Sequence, residues 1–235
     1  GQLFLGRSLT NNATIAGNGA LEGVGQLGAI RFANTSLTGN LTVDAAGSRI
    51  VGYAGATGEI IGDLLGSGDL EVNIAGNATA NGEITLTGDG SAYTGTVTVS
   101  GGTFNVGDLG GDITAAIGTA NLNGSVTGTV TLDGGTINLD NGANITTPVI
   151  GAGGGFLNVR SGSTVTGNVV TAFGAPTDVL LDGSITGDLV IDDGSTLDLG
   201  GGSAGSLSLG FDGSSVISLA STAPAAISGD VTVRG

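Results

Sequence analysis

The sequence predicts an all-β protein, specifically a right-handed parallel β-helix (solenoid) of roughly 20 residues per coil and about 11–12 coils. Three observations carry this. The composition is dominated by Gly (49 of 235 residues), with 29 Thr, 19 Ser and 16 Asn and only 3% aromatic residues. Short runs of alternating apolar and polar residues are bounded by Gly-Gly, Asp-Gly and Asn-Gly pairs, the pattern of half-buried strands and their corners. The same side-chain identities then return at intervals near 20 residues, which stacked coils explain and a hairpin-built sandwich or barrel does not.

The repeat is explicit. An apolar residue, Thr or Ser, Gly, a small polar residue and an apolar residue recur at Leu37–Leu41, Tyr93–Val97, Val126–Val130, Val165–Val169, Ile185–Leu189 and Ile227–Val231. The shared glycines are 56, 33, 39, 20 and 42 residues apart, so the gap of 33 marks an irregular coil. Gly128 is expected to hold a corner with positive φ. A second phrase follows: Val97-Thr98-Val99-Ser100-Gly101-Gly102-Thr103-Phe104-Asn105-Val106 is echoed by Val130-Thr131-Leu132-Asp133-Gly134-Gly135-Thr136-Ile137-Asn138-Leu139.

A version with one extra residue runs from Gly187 to Leu199. The inward column therefore holds Val97, Val99, Phe104, Val106, Val130, Leu132, Ile137, Leu139, Leu189, Ile191, Leu197 and Leu199. Thr, Asn and Val ladders suit the ~4.8 Å stacking distance of parallel strands. Residues 53–70 and 108–123 alternate least and are expected to be looser coils or loops. No composition shift marks a boundary, so residues 1–235 read as a single β-helical domain.

Composition also excludes chemistry. The chain has no His, Cys, Met, Trp or Lys, and its cations are Arg7, Arg31, Arg49, Arg160 and Arg234. Ser-His-Asp and Cys-His sites and the usual zinc centres cannot be built from these residues. A net charge of −15 repels nucleic-acid phosphate and anionic lipid, and the scarcity of aromatics removes base-stacking platforms. No stretch reaches the ~20 apolar residues of a membrane-spanning helix, so no membrane insertion of this segment is expected.

Residues 82–106 resemble the autotransporter-associated β-strand repeat of secreted bacterial passenger domains. The likeness is carried by Leu86-Thr87-Gly88, Tyr93-Thr94-Gly95 and Gly102-Thr103-Phe104. The resemblance implies a β-helical stalk at the bacterial cell surface or outside the cell, and no particular activity. Neither a signal peptide nor a C-terminal membrane barrel accompanies it, so the chain reads as a fragment or one period of a larger repetitive surface protein.

The alternative is a carbohydrate-binding or carbohydrate-cleaving β-helix with paired carboxylates. A 20-residue coil would set Asp192 beside Asp212 and Asp178 beside Asp198, with Arg160 and Arg234 as the nearby cations. The bland reading makes Asp192 and Asp212 turn residues. Gly66-Ser67-Gly68-Asp69 is only a fragment of a calcium-binding repeat. The six Asn-x-Ser/Thr sequences, at Asn12, Asn34, Asn40, Asn77, Asn123 and Asn144, are frequent enough to be chance in this composition. Tyr53 and Tyr93 read as packing at coil edges. No catalytic, cofactor-binding or metal-binding residue is therefore assigned, and no cofactor is expected.

The chain ends suggest a partner. Ile227–Gly235 has the form of the first half of the repeat, and Gly1–Gly6 that of the second half. Joined tail to head they match Val97–Gly107, and neither end looks like a polar cap. The expectation is head-to-tail self-association through the N- and C-terminal coils, with surface carbohydrate or a host receptor as a further partner.

Overall fold

The computed structural model describes all residues except 24, 141, 172–174, 193, 211–217, 221–223 and 234–235. Two compact units, Gly1–Asn121 and Leu122–Gly235, are both parallel β-solenoids. Among the described residues there is no helix, and the only antiparallel pair is the short hairpin Leu21–Glu22 with Gly25–Gln26. The chain makes about nine turns.

In the first unit each turn contributes three strand segments. The long strand Leu41–Gly52 bends through two sides, and Thr57–Ile60 forms the third. In the next turn Leu64–Gly66 stacks on Leu41–Val43, Leu70–Val72 on Ser48–Ile50, and Glu83–Leu86 on Thr57–Ile60. The second unit repeats the arrangement. Val169–Thr171 stacks on Val149–Gly151, Thr177–Leu181 on Gly155–Val159, and Ser184–Ile185 on Thr164–Val165.

The turn length differs between the units, which corrects the expected coil count. In the second unit, hydrogen bonds between adjacent turns span 20 residues (Asn158 to Asn138) or 18 (Thr196 to Asp178). In the first they span 28 (Asn40 to Asn12), 23 (Asp63 to Asn40) or 26 (Asp89 to Asp63), and only 16 between Asn121 and Asn105. Two insertions swell the early turns: the segment 18–29, which carries the hairpin, and the loop 74–81. Leu27 from the first insertion and Ile74 and Ala80 from the second close over Val51. Alternation alone would send Val51 to solvent, yet it is fully buried.

Residues 53–70 and 108–123, expected to be loose, are regular. They hold Thr57–Ile60, Leu64–Gly66, Asp112–Ala115 and Thr119–Leu122. In the first of these stretches the alternation is hidden because Gly58 stands at an inward position. A methyl group there would lie 2.5 Å from Cβ of Phe32, whose side chain fills the space one turn away.

The recurring glycines serve stacking rather than backbone conformation. Gly39, Gly95, Gly167, Gly187 and Gly229 do not take positive φ, and Gly128 is not among the positive-φ glycines either, against expectation. Gly39, Gly95, Gly167, Gly187 and Gly229 point the missing side chain at the backbone of the preceding turn. A Cβ on Gly95 would sit 2.3 Å from the Gly68 carbonyl oxygen, and one on Gly187 2.6 Å from that of Gly167. Backbone cannot yield as a flexible side chain would, so any larger residue forces the turns apart. One position solves this differently: Thr147 occupies a glycine place and its hydroxyl donates to the Gly128 carbonyl at 2.5 Å.

The small polar residue after the glycine links one turn to the next. The Asn12 side-chain oxygen accepts the N–H of Asn40, Asn40 that of Asp63, and Asp63 that of Asp89. Asn168 accepts the N–H of Asp188 in the same way. Asn and Asp suit this place because a short side chain carries an acceptor close to its own backbone.

Inside runs a narrow aliphatic column. All twelve residues expected to face inward are buried, from Val97 at 0% exposure to Leu199 at 8%. Full burial of one such aliphatic side chain contributes about 1.5–3 kcal/mol, and close-packed stacking leaves little room for bulkier rings.

Candidate functional site

The carboxylates singled out for acid/base chemistry do not form the expected pair. Because the turn between them is 18 residues long, Asp178 stands in register with Thr196, whose hydroxyl donates to its carboxylate. Asp198 pairs instead with Leu180. Asp192 is buried in a turn: its N–H donates to Thr171 Oγ1 at 2.6 Å, and its carbonyl accepts from Ser195 N–H. Its expected partner Asp212, and the cation Arg234, lie outside the described residues. Arg160 is 55% exposed and pairs with Asp140 at 2.8 Å.

The remaining candidates have corner roles. The Asp69 carboxylate accepts the N–H of Thr96. Asn34 accepts the N–H of Thr57, and Asn77 accepts both the N–H and the hydroxyl of Thr79. With Asn12 and Asn40 in the ladder above, these side chains are used by the solenoid itself. Tyr93 is fully buried and its hydroxyl donates to the Gly68 carbonyl at 2.5 Å. Burial, reinforced by the negative charge of Asp69, pushes its phenol well above the ordinary range.

Tyr53 has a different place. It is 43% exposed, and the Arg31 guanidinium lies 5.7 Å from its ring centre and 5.5 Å from that of Phe4, with Nη1 also donating to Glu22. Sequence reasoning missed this stack, since its members are spread over three turns. In the second unit an outward row, Ile150–Val170–Val190, is apolar, with Ile150 41% exposed.

The most distinctive surfaces are the outermost turns. At the start of the first unit, Leu3–Leu5 pairs only with Ile30–Phe32 among described strands, and Ala13–Gly17 only with Leu41–Gly52. Between these two strands lies an open, largely apolar cleft of about 360 Å³, lined by Gln2, Leu3, Ala13, Ile15 and Ile30 among others. The Gln2 side-chain nitrogen is buried there without a hydrogen-bond partner.

At the other end, Val231–Val233 pairs only with Leu207–Leu209, and Ala226–Ile227 only with Ser203–Ala204, among described strands. Val231 and Val233 are 57% and 71% exposed, although the same column is buried one turn earlier at Leu207 and Leu209.

The structure changes how the two ends relate. Leu3–Leu5 was expected to continue the tail as a second-half strand, like Thr103–Val106. It stacks instead in the first-half column, through Ile30, Ile50 and Val72 to Val99. Compared with known protein families, characterised proteins and solved structures, the chain matches none.

Proposed function

We propose that this chain is a non-enzymatic structural protein of the bacterial cell surface, a β-helical stalk of the autotransporter-passenger kind. Its copies associate head to tail into a filament. The observation that carries the reading is the pair of end turns, each presenting backbone edges and inward apolar side chains that no described strand covers. Such edges template pairing with another chain, and a contact between unlike ends propagates rather than closes.

The outer surface suits an extracellular setting. It carries a net charge of −15 and few basic residues for trypsin-like proteases to cut. Adhesion to a surface carbohydrate or a host receptor is the attendant role, and the apolar row Ile150–Val170–Val190 is the face for it. Light scattering and electron microscopy on the 235-residue chain test the assembly. Filaments that lengthen with concentration are expected. A monomer at all concentrations, or turnover of a polysaccharide that is lost in Asp192→Asn, would overturn the reading.

A further inference from the structure

We propose that the Arg31 cluster of the first unit is a binding site for a carboxylated sugar, a uronic- or sialic-type residue of a glycan. The site is independent of filament formation. It deepens the adhesion reading by naming the class of sugar and a second face for it.

Two arginines on one side of the solenoid are used differently. Arg49 donates from both Nε and Nη2 to Glu71 Oε2, at 2.8 and 2.6 Å, and from Nη1 to the Gln26 carbonyl. Its fork is filled from within the chain. Arg31 stands in the neighbouring turn, in register with Val51. It meets the two Glu22 oxygens, at 3.1 and 3.2 Å, through Nη1 alone. Its Nε is buried without a hydrogen-bond partner among the described residues.

An unanswered N–H on a charged group withdrawn from water is unfavourable, and the Arg31 side chain is only 13% exposed. A carboxylate answers it best. Its two oxygens match Nε–H and the adjacent Nη2–H in one plane, a geometry that a single hydroxyl or a carbonyl does not offer.

The rings form the other half of the site. Phe4 is in register with Arg31, and Tyr53 follows Gly52, the partner of Phe32. Both rings lie against the guanidinium and are still about half exposed. Neither belongs to the packed column, so a ring can turn aside to admit a ligand without opening the core. The C–H face of a pyranose stacks on the electron-rich face of such a ring. An acidic peptide offers the carboxylate but not that flat apolar face.

Charge sets this region apart. Residues 1–62 hold three arginines and three carboxylates. The whole net charge of −15 therefore lies in residues 63–235, which hold two arginines and seventeen carboxylates. Glu22 balances Arg31. The exposed Arg7 adds a positive charge beside Gly6, which lies within reach of the Phe4 ring. An anionic ligand is repelled least here.

Biolayer interferometry on the full chain, at dilutions where light scattering shows monomer, tests the site. The immobilised probes are oligogalacturonate, its methyl ester, a sialylated oligosaccharide, its desialylated form and poly-glutamate. Binding to an acidic glycan is expected, lost in the ester or the desialylated form, with poly-glutamate held far more weakly. Which acidic glycan binds names the type of sugar. Arg31→Lys, which keeps the charge and removes the fork, should weaken binding about tenfold. Tyr53→Ser, at an exposed position, should weaken it several-fold with an unchanged circular dichroism spectrum, and serves if Arg31→Lys disturbs folding.

Equal binding to the methyl ester or to poly-glutamate would overturn the proposal, as would binding that neither variant moves. Binding lost in Ile150→Thr and kept in Arg31→Lys would overturn this site and leave adhesion standing. Filaments that hold no acidic glycan would overturn the site and leave head-to-tail association standing.

Discussion

The side-chain oxygen of Asn73 accepts the backbone N–H of Gly52, one turn earlier, at 2.8 Å. Its amide nitrogen donates to the carbonyls of Gly82 at 2.8 Å and Gly101 at 3.0 Å. A fully buried polar side chain thus joins successive turns at one corner, held with φ of 62°. Asn tolerates that conformation better than most residues. Asn73→Ala would strand three buried backbone groups and strain the backbone, so a loss of about 3 kcal/mol is expected from urea unfolding. Asn73→Gly, which relieves only the strain, should recover a minor part.

The glycine columns predict a sharp contrast. Gly95→Ala would press a methyl group against the Gly68 carbonyl and the Tyr93 hydroxyl. Overpacking of this kind costs about 1–3 kcal/mol, read as a fall in the denaturation midpoint. Gly107→Ala meets nothing within 4 Å at ordinary φ and should leave the midpoint unchanged. Equal effects at both positions would remove the stacking explanation.

Tyr93 makes stability depend on alkaline pH. Burial raises its folded-state pKa above the ordinary phenol value of 10.0, so the folded chain holds the phenolic proton more tightly than the unfolded chain does. The contribution is complete below pH 10 and declines as pH rises past it. Tyr93→Phe deletes the hydrogen bond to Gly68, for about 1 kcal/mol lost at neutral pH. Midpoints measured from pH 8 to 11.5 should fall less steeply in the variant than in the native chain.

Asp89 acts at the opposite end of the scale. The backbone N–H and hydroxyl of Ser91 hold its carboxylate below the ordinary pKa of 3.8. A depressed value stabilises the fold above the unfolded pKa and loses that effect as pH falls through the folded one. Ser91→Ala should shift acid unfolding slightly upward in pH, and an unchanged acid limb would count against this role.

Assembly should respond to salt. Each copy carries −15, while the outermost strands Leu3–Leu5 and Val231–Val233 are uncharged. Screening shortens the repulsion to about 10 Å at 0.1 M ionic strength. Light scattering should therefore show growth favoured between low and moderate salt. Val233→Lys, a charge placed at the end contact, should abolish growth while the β-rich circular dichroism spectrum is kept.

Local pattern and tertiary packing divided the determination of this protein between them. Alternation and the Gly-rich corners, visible in Val97–Val106 and its echo Val130–Leu139, determined the all-β stacked fold and the inward column, because side-chain direction follows backbone period. The glycine and the polar residue after it were legible as a motif, but not the reason for them. Gly95 is small because the backbone of another turn lies against it, which no local conformational rule reveals.

The length of each turn was decided only in three dimensions. Asp178 meets Thr196 instead of Asp198 because that turn is two residues shorter than the repeat suggested. Asn73 shows no signal in the sequence, since its value lies in carbonyls 9 and 28 residues away. The side on which Leu3–Leu5 stacks was likewise a tertiary matter. In a solenoid every strand looks alike locally, and only the turn beneath it decides which column it joins.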